Sequence, residues 1–265
     1  MKNTFKKLFI SFTVLSLTAC GSTTMQDNTF AAKENKDFTK YTNQLVVEYA
    51  ENDYTTMHQF FEHPEDYGID VNKVDISLGE FYTDNTKEIK EDQKELKKFN
   101  RSTLDKTQQT IYDELKYENE LSLKAENKKF QYLNNCWSTM SGLHQSLISV
   151  FSEYILRNEQ DIKDLITLIN DVPRYTNDVL EYTKEQADKN TLQFDYDSVT
   201  QDIQDVINNK EDSSITSALY NAIDALNLDA EKTTSYKAQV KEAMDTSFFP
   251  SYQSMLDTLT SLQSK

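Results

Sequence analysis

The chain has 265 residues, with 44 Asp plus Glu against 28 Lys plus Arg and a net charge of −16 at pH 7. A field of that sign repels phosphate, which excludes nucleic acid as a partner and a polybasic grip on anionic lipid. Four glycines and three prolines leave too few turn formers for a many-stranded sheet, so the expected fold class is all-α.

The first 19 residues read as a removable segment rather than as structure. Lys2, Lys6 and Lys7 form a basic start, and the apolar run Leu8–Ala19 is shorter than the about 20 residues a spanning helix needs. Leu17-Thr18-Ala19-Cys20-Gly21 resembles a bacterial lipobox, in which Cys20 receives diacylglycerol and becomes the new N-terminus. Acyl chains such as palmitate on Cys20 would hold the mature protein on the extracytoplasmic face of the cell membrane without a spanning helix, at about 0.8 kcal/mol per buried CH₂. Residues 20–36 are small and polar and read as a lipidated flexible tether.

Beyond the tether, Phe38, Tyr41, Leu45, Val46 and Tyr49 recur at helical intervals and predict a helix over Asp37–Glu51. A second, Tyr54–Phe61, stops before Pro64 and Gly68. Val71–Phe81 alternates loosely and is the one stretch read as a short extended segment. Helices resume over Asn85–Phe99 and, after a cap at Ser102 or Thr103, over Leu104–Glu126. Lys128–Gly142 loses periodicity and reads as an irregular crossing.

Leu143–Leu156 is a helix, and Asn158 with Asp161 forms a capping pair for the next, which buries Ile162, Leu165, Ile166 and Ile169. Pro173 fits the first turn of a separate helix with the stripe Tyr175, Val179 and Tyr182, ending near Asn190. Short helices follow over Val199–Asn208 and Ile215–Leu226. A long one over Asp229–Leu262 keeps its apolar stripe, from Tyr236 to Leu262, past an expected kink at Pro250. No internal repeat is visible, so residues 37–265 read as a single irregular multi-helix domain.

Little in this pattern assembles chemistry. The three histidines are His58, His63 and His144; His58 and His63 are not at a spacing that shares a helix face, and each reads as a lone surface histidine rather than a metal ligand. Cys136, the one cysteine besides Cys20, excludes a disulfide framework and reads as a small buried hydrophobe beside Trp137. Glu153 with Glu159, or Asp161 with Asp164, could converge in a cleft, against a default of solvated faces. The acids around Asp195 fail as a calcium loop, because Val199 stands where an oxygen ligand belongs and the turn glycine is missing.

The phrases SEYILRNEQDIKDLITLINDVPRYTNDVLEYTKEQADKN, FFEHPEDYGI followed by VDISLGEF, and MDTSFFPSYQSMLDTLTSL occur in an order and spacing that resemble the N-terminal half of a large bacterial family. That family, known as domain of unknown function eight-eight-five, has many lipoprotein members. The resemblance covers about Asp37–Lys265. It implies an α-helical, metallopeptidase-like fold of roughly twice this length, whose zinc site rests on an HExxPGH motif and an acidic ligand in the C-terminal half. Neither occurs here, so no catalytic, cofactor-binding or metal residue carries over, and Cys20 is the one site residue assigned.

Two departures from the family pattern stand out. Asn190 replaces a helix-closing glycine, and NNCWSTMSGLHQSL replaces a proline-rich segment, which puts substrate contacts from that crossing in doubt. The chain ends just after the long helix, at what resembles the boundary before the catalytic half. The expectation is therefore a membrane-anchored lipoprotein equivalent to the noncatalytic half of a zinc peptidase, partnered by a C-terminal catalytic half on another chain. The alternative is a stand-alone helical module that binds peptides or a cell-envelope partner.

Overall fold

A computed structural model describes residues 33–82 and 84–263; the stretch read as a signal segment, Cys20 and most of the stretch read as a tether lie outside them. The described residues form ten α-helices and no strand: α1 (Lys36–Asn52), α2 (Tyr54–Phe60), α3 (Thr86–Leu96), α4 (Lys106–Ala125), α5 (Leu143–Ser152), α6 (Glu159–Asp188), α7 (Tyr196–Asn208), α8 (Ser214–Ala225), α9 (Ala230–Ala243) and α10 (Phe249–Leu262). The all-α expectation holds. Among the described residues no helix is long and apolar enough to cross a membrane.

The described residues group into two compact units, residues 33–52, 67–69 and 82–131 in the first and 53–66, 70–81 and 132–263 in the second. In the first unit, Phe38, Leu96, Leu104 and Leu115 are buried together, with Tyr41, Phe99, Ile111 and Tyr112 packed around them. The buried Gln108 joins two helix starts. It completes a capping box with Asp105 at α4, accepts from the Asn35 N–H (2.9 Å), and donates to the Asn35 carbonyl (2.8 Å) and the Thr39 hydroxyl (3.0 Å). Asn35, within the stretch read as tether, accepts from the Asp37 and Phe38 amides at the start of α1.

The second unit is built on α6, whose inner face buries Ile162, Leu165, Leu168, Ile169, Val172, Thr176 and Val179. The α9–α10 stretch packs along α6, α7 lies on α10, and α8 lies against α5 and α9. Helix starts carry short polar acceptors: Asp53 for Thr56, Asp195 for Ser198, Ser213 for Thr216 and Asp229 for Lys232, each to a backbone N–H. The Asn158/Asp161 capping box forms as expected.

Several local expectations are corrected. Val71–Phe81 forms no strand; it holds a 3-10 turn over Val71–Lys73, passes through extended backbone at Val74 and then bends. The cap of α4 is Asp105, not Ser102 or Thr103, which belong to a 3-10 turn capped by Asn100. Helix α5 ends at Ser152, four residues short of Leu156.

Pro173 does not open a new helix but lies inside α6. An interior proline costs about 3 kcal/mol. Here its ring faces solvent, and the buried stripe running unbroken from Ile169 through Val172 and Thr176 to Val179 offsets that cost.

Near Pro250 the α9–α10 stretch widens into a π turn over Met244–Phe248, where the Phe249 N–H reaches back to the Met244 carbonyl. The wider turn falls where an α-helical ladder would set the proline ring against a carbonyl of the preceding turn. At the end of α6, Asn190 takes a left-handed φ of 56°. Its N–H reaches the Ala187 carbonyl and that of Thr191 reaches Gln186, a Schellman closure in which Asn serves for Gly.

Candidate functional site

The second unit carries a groove along α5. Its larger part, 330 Å³, is walled by Leu143, Leu147 and Val150 of α5, Tyr175 and Val179 of α6, and Leu78 and Phe81, with Thr55, Asn134, Asn135, Ser141 and Ser146 as polar rim and Cys136 at its edge. A smaller part, 160 Å³, shares Thr55 and Val150 and continues past Ser149 and His58 to Glu153, Tyr154 and Ile155. A third, polar hollow of 290 Å³, lined by Gln186 and residues 190–193, adjoins across Asn134 and Asn135.

Three devices hold the walls. The first fastens the 132–142 crossing. Gln186, buried on α6, donates its amide to the Tyr132 and Asn134 carbonyls (2.9 Å each), and the indole N–H of the fully buried Trp137 donates to Thr183 (2.9 Å). The crossing then turns back onto the start of α5, with Gly142 N–H on the Ser138 carbonyl (2.7 Å) and Leu143 N–H on that of Cys136 (2.9 Å). A Cβ at Gly142 would meet the Ser138 carbonyl oxygen at 2.6 Å, so only glycine allows this approach.

The second device fixes the Leu78 wall. Asp171 accepts from the Leu78 N–H (2.8 Å) while holding Arg174 in a bidentate pair (2.7 Å twice), and Arg174 donates to the Gly79 carbonyl (2.8 Å). The Asp171 carboxylate keeps the guanidinium protonated even more firmly than usual. Gly79 takes φ +74°, which lets the loop turn there.

The third device closes the far end. Tyr154 donates to the Tyr54 hydroxyl (2.8 Å), which donates to Asp164 Oδ2 (3.0 Å), and Gln160 donates to the other oxygen (2.8 Å). His58 stacks on Tyr154 at 4.4 Å between ring centres and donates its Nε2–H to the Ile155 carbonyl (2.7 Å), leaving Nδ1 toward Tyr54. Burial above all pushes both phenols well above the usual tyrosine range, so both hydroxyls keep their protons.

The candidates named from sequence separate accordingly. Glu153 reaches the groove, at its narrow end. Glu159 is tied to Lys232 (2.8 Å) and Tyr236 (2.6 Å) on α9, bonds that hold its carboxyl below the usual range. Asp161 caps α6 through the Arg157 and Asn158 amides, and Asp164 serves Tyr54. Asp195 starts α7.

The surface reading of the histidines holds for His63, which sits in solvent 3.5 Å from Glu65, and fails for the other two. His58 and His144 are buried. His144 stacks against Trp137, with its two ring nitrogens unbonded and Asp202 3.6 Å away; burial pushes its pKa down, with Asp202 opposing. Cys136 is buried beside Trp137 as expected, and burial pushes its thiol up to about 12.

The zinc implied by the family resemblance does not fit the residues present. Among the described residues no group of three or more His, Cys, Asp or Glu side chains could hold a metal ion. His58 has committed Nε2 to a carbonyl, His63 pairs at the surface, and His144 faces a single carboxylate.

A family model described as bacterial protein of unknown function (DUF885) matches residues 67–265. The chain belongs to that family. The DUF885 match takes in α3 to α10, the crossing and both phrases built on α6 and α10, and begins inside the phrase FFEHPEDYGI, at Tyr67. The groove walls contributed by α5, α6 and residues 78–81 are thus DUF885 elements, whereas Thr55 and His58 precede the match. No curated protein and no solved structure matches the chain.

Sequence reasoning missed the groove itself. The crossing whose contacts the sequence put in doubt supplies Asn134, Asn135, Cys136 and Ser141 to its larger part. The signal that could have found it was the aperiodic stretch 128–142 next to a helix, since irregular backbone beside a rigid element is where binding surfaces are built.

Proposed function

We propose that this DUF885 chain is a lipid-anchored, extracytoplasmic protein that binds a peptide in the groove along α5, with no catalytic centre of its own. The groove's composition carries the reading: an apolar wall able to take a side chain lies beside amide and hydroxyl groups able to meet a peptide backbone. Of the neighbouring acids, Asp161 is spent on a cap, Asp164 on a tyrosine and Glu159 on a lysine, which leaves Glu153, and the residues present do not fit a zinc site. Bond cleavage would then depend on groups from elsewhere, such as a catalytic half on another chain. The lipobox at Cys20 supports the anchoring.

Calorimetric titration of the full chain in detergent with short apolar peptides tests the binding; saturable one-to-one binding supports it, and no heat with any peptide of a varied set removes it. For the anchor, Cys20→Ser should shift the protein from the membrane to the soluble fraction. An unchanged distribution contradicts lipid anchoring.

A further inference from the structure

Taking the peptide-binding reading as its starting point, we infer that the groove recognises the free N-terminus of its peptide. The ammonium sits at Glu153 and the C-terminal end of α5, and an apolar side chain two or three residues on fills the larger cavity.

The narrow end is electronegative for reasons that do not depend on any one side chain. Helix α5 ends at Ser152; the Ser149 carbonyl accepts the Glu153 N–H, and the carbonyls of residues 150–152 lie beyond the helical ladder at the negative end of the helix dipole. Ser149 and Val150 of that last turn line the cavity, as does Glu153, which follows it directly. Among the described residues Glu153 has no cationic partner, and neither cavity is lined by Lys or Arg. Asp161 and Asp164 add to the negative field at Tyr154. The chain as a whole is at −16, which disfavours an anionic occupant.

Spacing sets the direction of the ligand. From Leu147 to Glu153 is about 9 Å along α5 at 1.5 Å per residue. An extended peptide covers that distance in about three residues. A side chain seated against Leu147 and Val150 therefore belongs to the second or third residue of a peptide whose amine meets Glu153.

The experiment compares four-residue peptides with Leu at position three on the full chain: one with a free amine, one N-acetylated, and one N-acetylated with Lys at position one. The free amine should bind at least tenfold more tightly than either acetylated peptide. Glu153→Gln, a change at an exposed side chain, should abolish that preference, so that the free-amine and acetylated peptides bind the variant with equal affinity. Equal binding of free and acetylated peptides overturns N-terminal recognition and leaves the peptide groove standing. Tight binding of the acetylated Lys peptide also overturns it, in favour of a lysine side chain. A preference that survives Glu153→Gln removes Glu153 from the role. No binding of any peptide defeats the underlying reading as well.

Discussion

The two compact units bury polar side chains for different ends. In the first, Gln108 ties together the starts of α1 and α4 beside a small aromatic core. In the second, His58, Thr183 and Gln186 hold irregular backbone, the Ile155 turn and the 132–142 crossing, against helices. All three hollows described above are lined by second-unit residues alone. Buried polar groups that fasten non-repetitive segments mark a built cavity, and those that cap helices mark scaffold.

The largest way to break this contrast is Trp137→Ala. It empties a fully buried site and strips Thr183 of its indole donor, at a cost of about 3–5 kcal/mol in urea denaturation. The same melt on Gln108→Ala should show a smaller loss, about 1–3 kcal/mol, because it removes hydrogen bonds at two helix starts and little apolar packing. If Gln108→Ala costs more than Trp137→Ala, the distinction between capping and cavity-building polar groups is wrong.

His144 offers a pH test. Burial lowers its folded pKa beneath its unfolded value near 6.5, so the unfolded chain binds more protons as pH falls. Its neutral form therefore stabilises fully above about pH 6.5, and that stability drains away as pH drops toward the lowered folded pKa. Denaturation midpoints between pH 7.5 and 5 should decline in the parent and decline less steeply in His144→Leu. Equal slopes would show that His144 is not the titrating group.

The smallest expected effect on stability is Arg174→Lys. Lys cannot reproduce the fork that joins Asp171 to the Gly79 carbonyl. Because Arg174 is exposed, the melting midpoint should move little while peptide affinity falls several-fold as the Leu78 wall loosens. Unchanged affinity would separate that wall from ligand binding.

Much of the fold could be read from sequence, because helix information is local. The apolar spacing of α1 and α6 and the Asn158/Asp161 pair lie within one or two turns of chain. Pro173 misled because its local cost is visible in sequence, whereas the burial on either side that offsets it is tertiary. The π turn before Pro250 was hidden for the same reason. The groove was the least legible, since its walls come from Thr55, Leu78, Phe81, the crossing, α5 and α6, segments more than a hundred residues apart and partly aperiodic. The burial of His58 likewise involves a partner distant in sequence, the Ile155 carbonyl, and His144 faces the equally distant Asp202.

The most direct measurement of the central claim is photo-crosslinking of a short peptide carrying a diazirine leucine at position three, followed by mass-spectrometric mapping. Binding in the groove predicts adducts on Leu143, Leu147, Val150, Tyr175 or Val179, suppressed by excess unlabelled peptide. Adducts confined to other surfaces, or labelling that excess peptide does not suppress, would contradict a peptide site on α5.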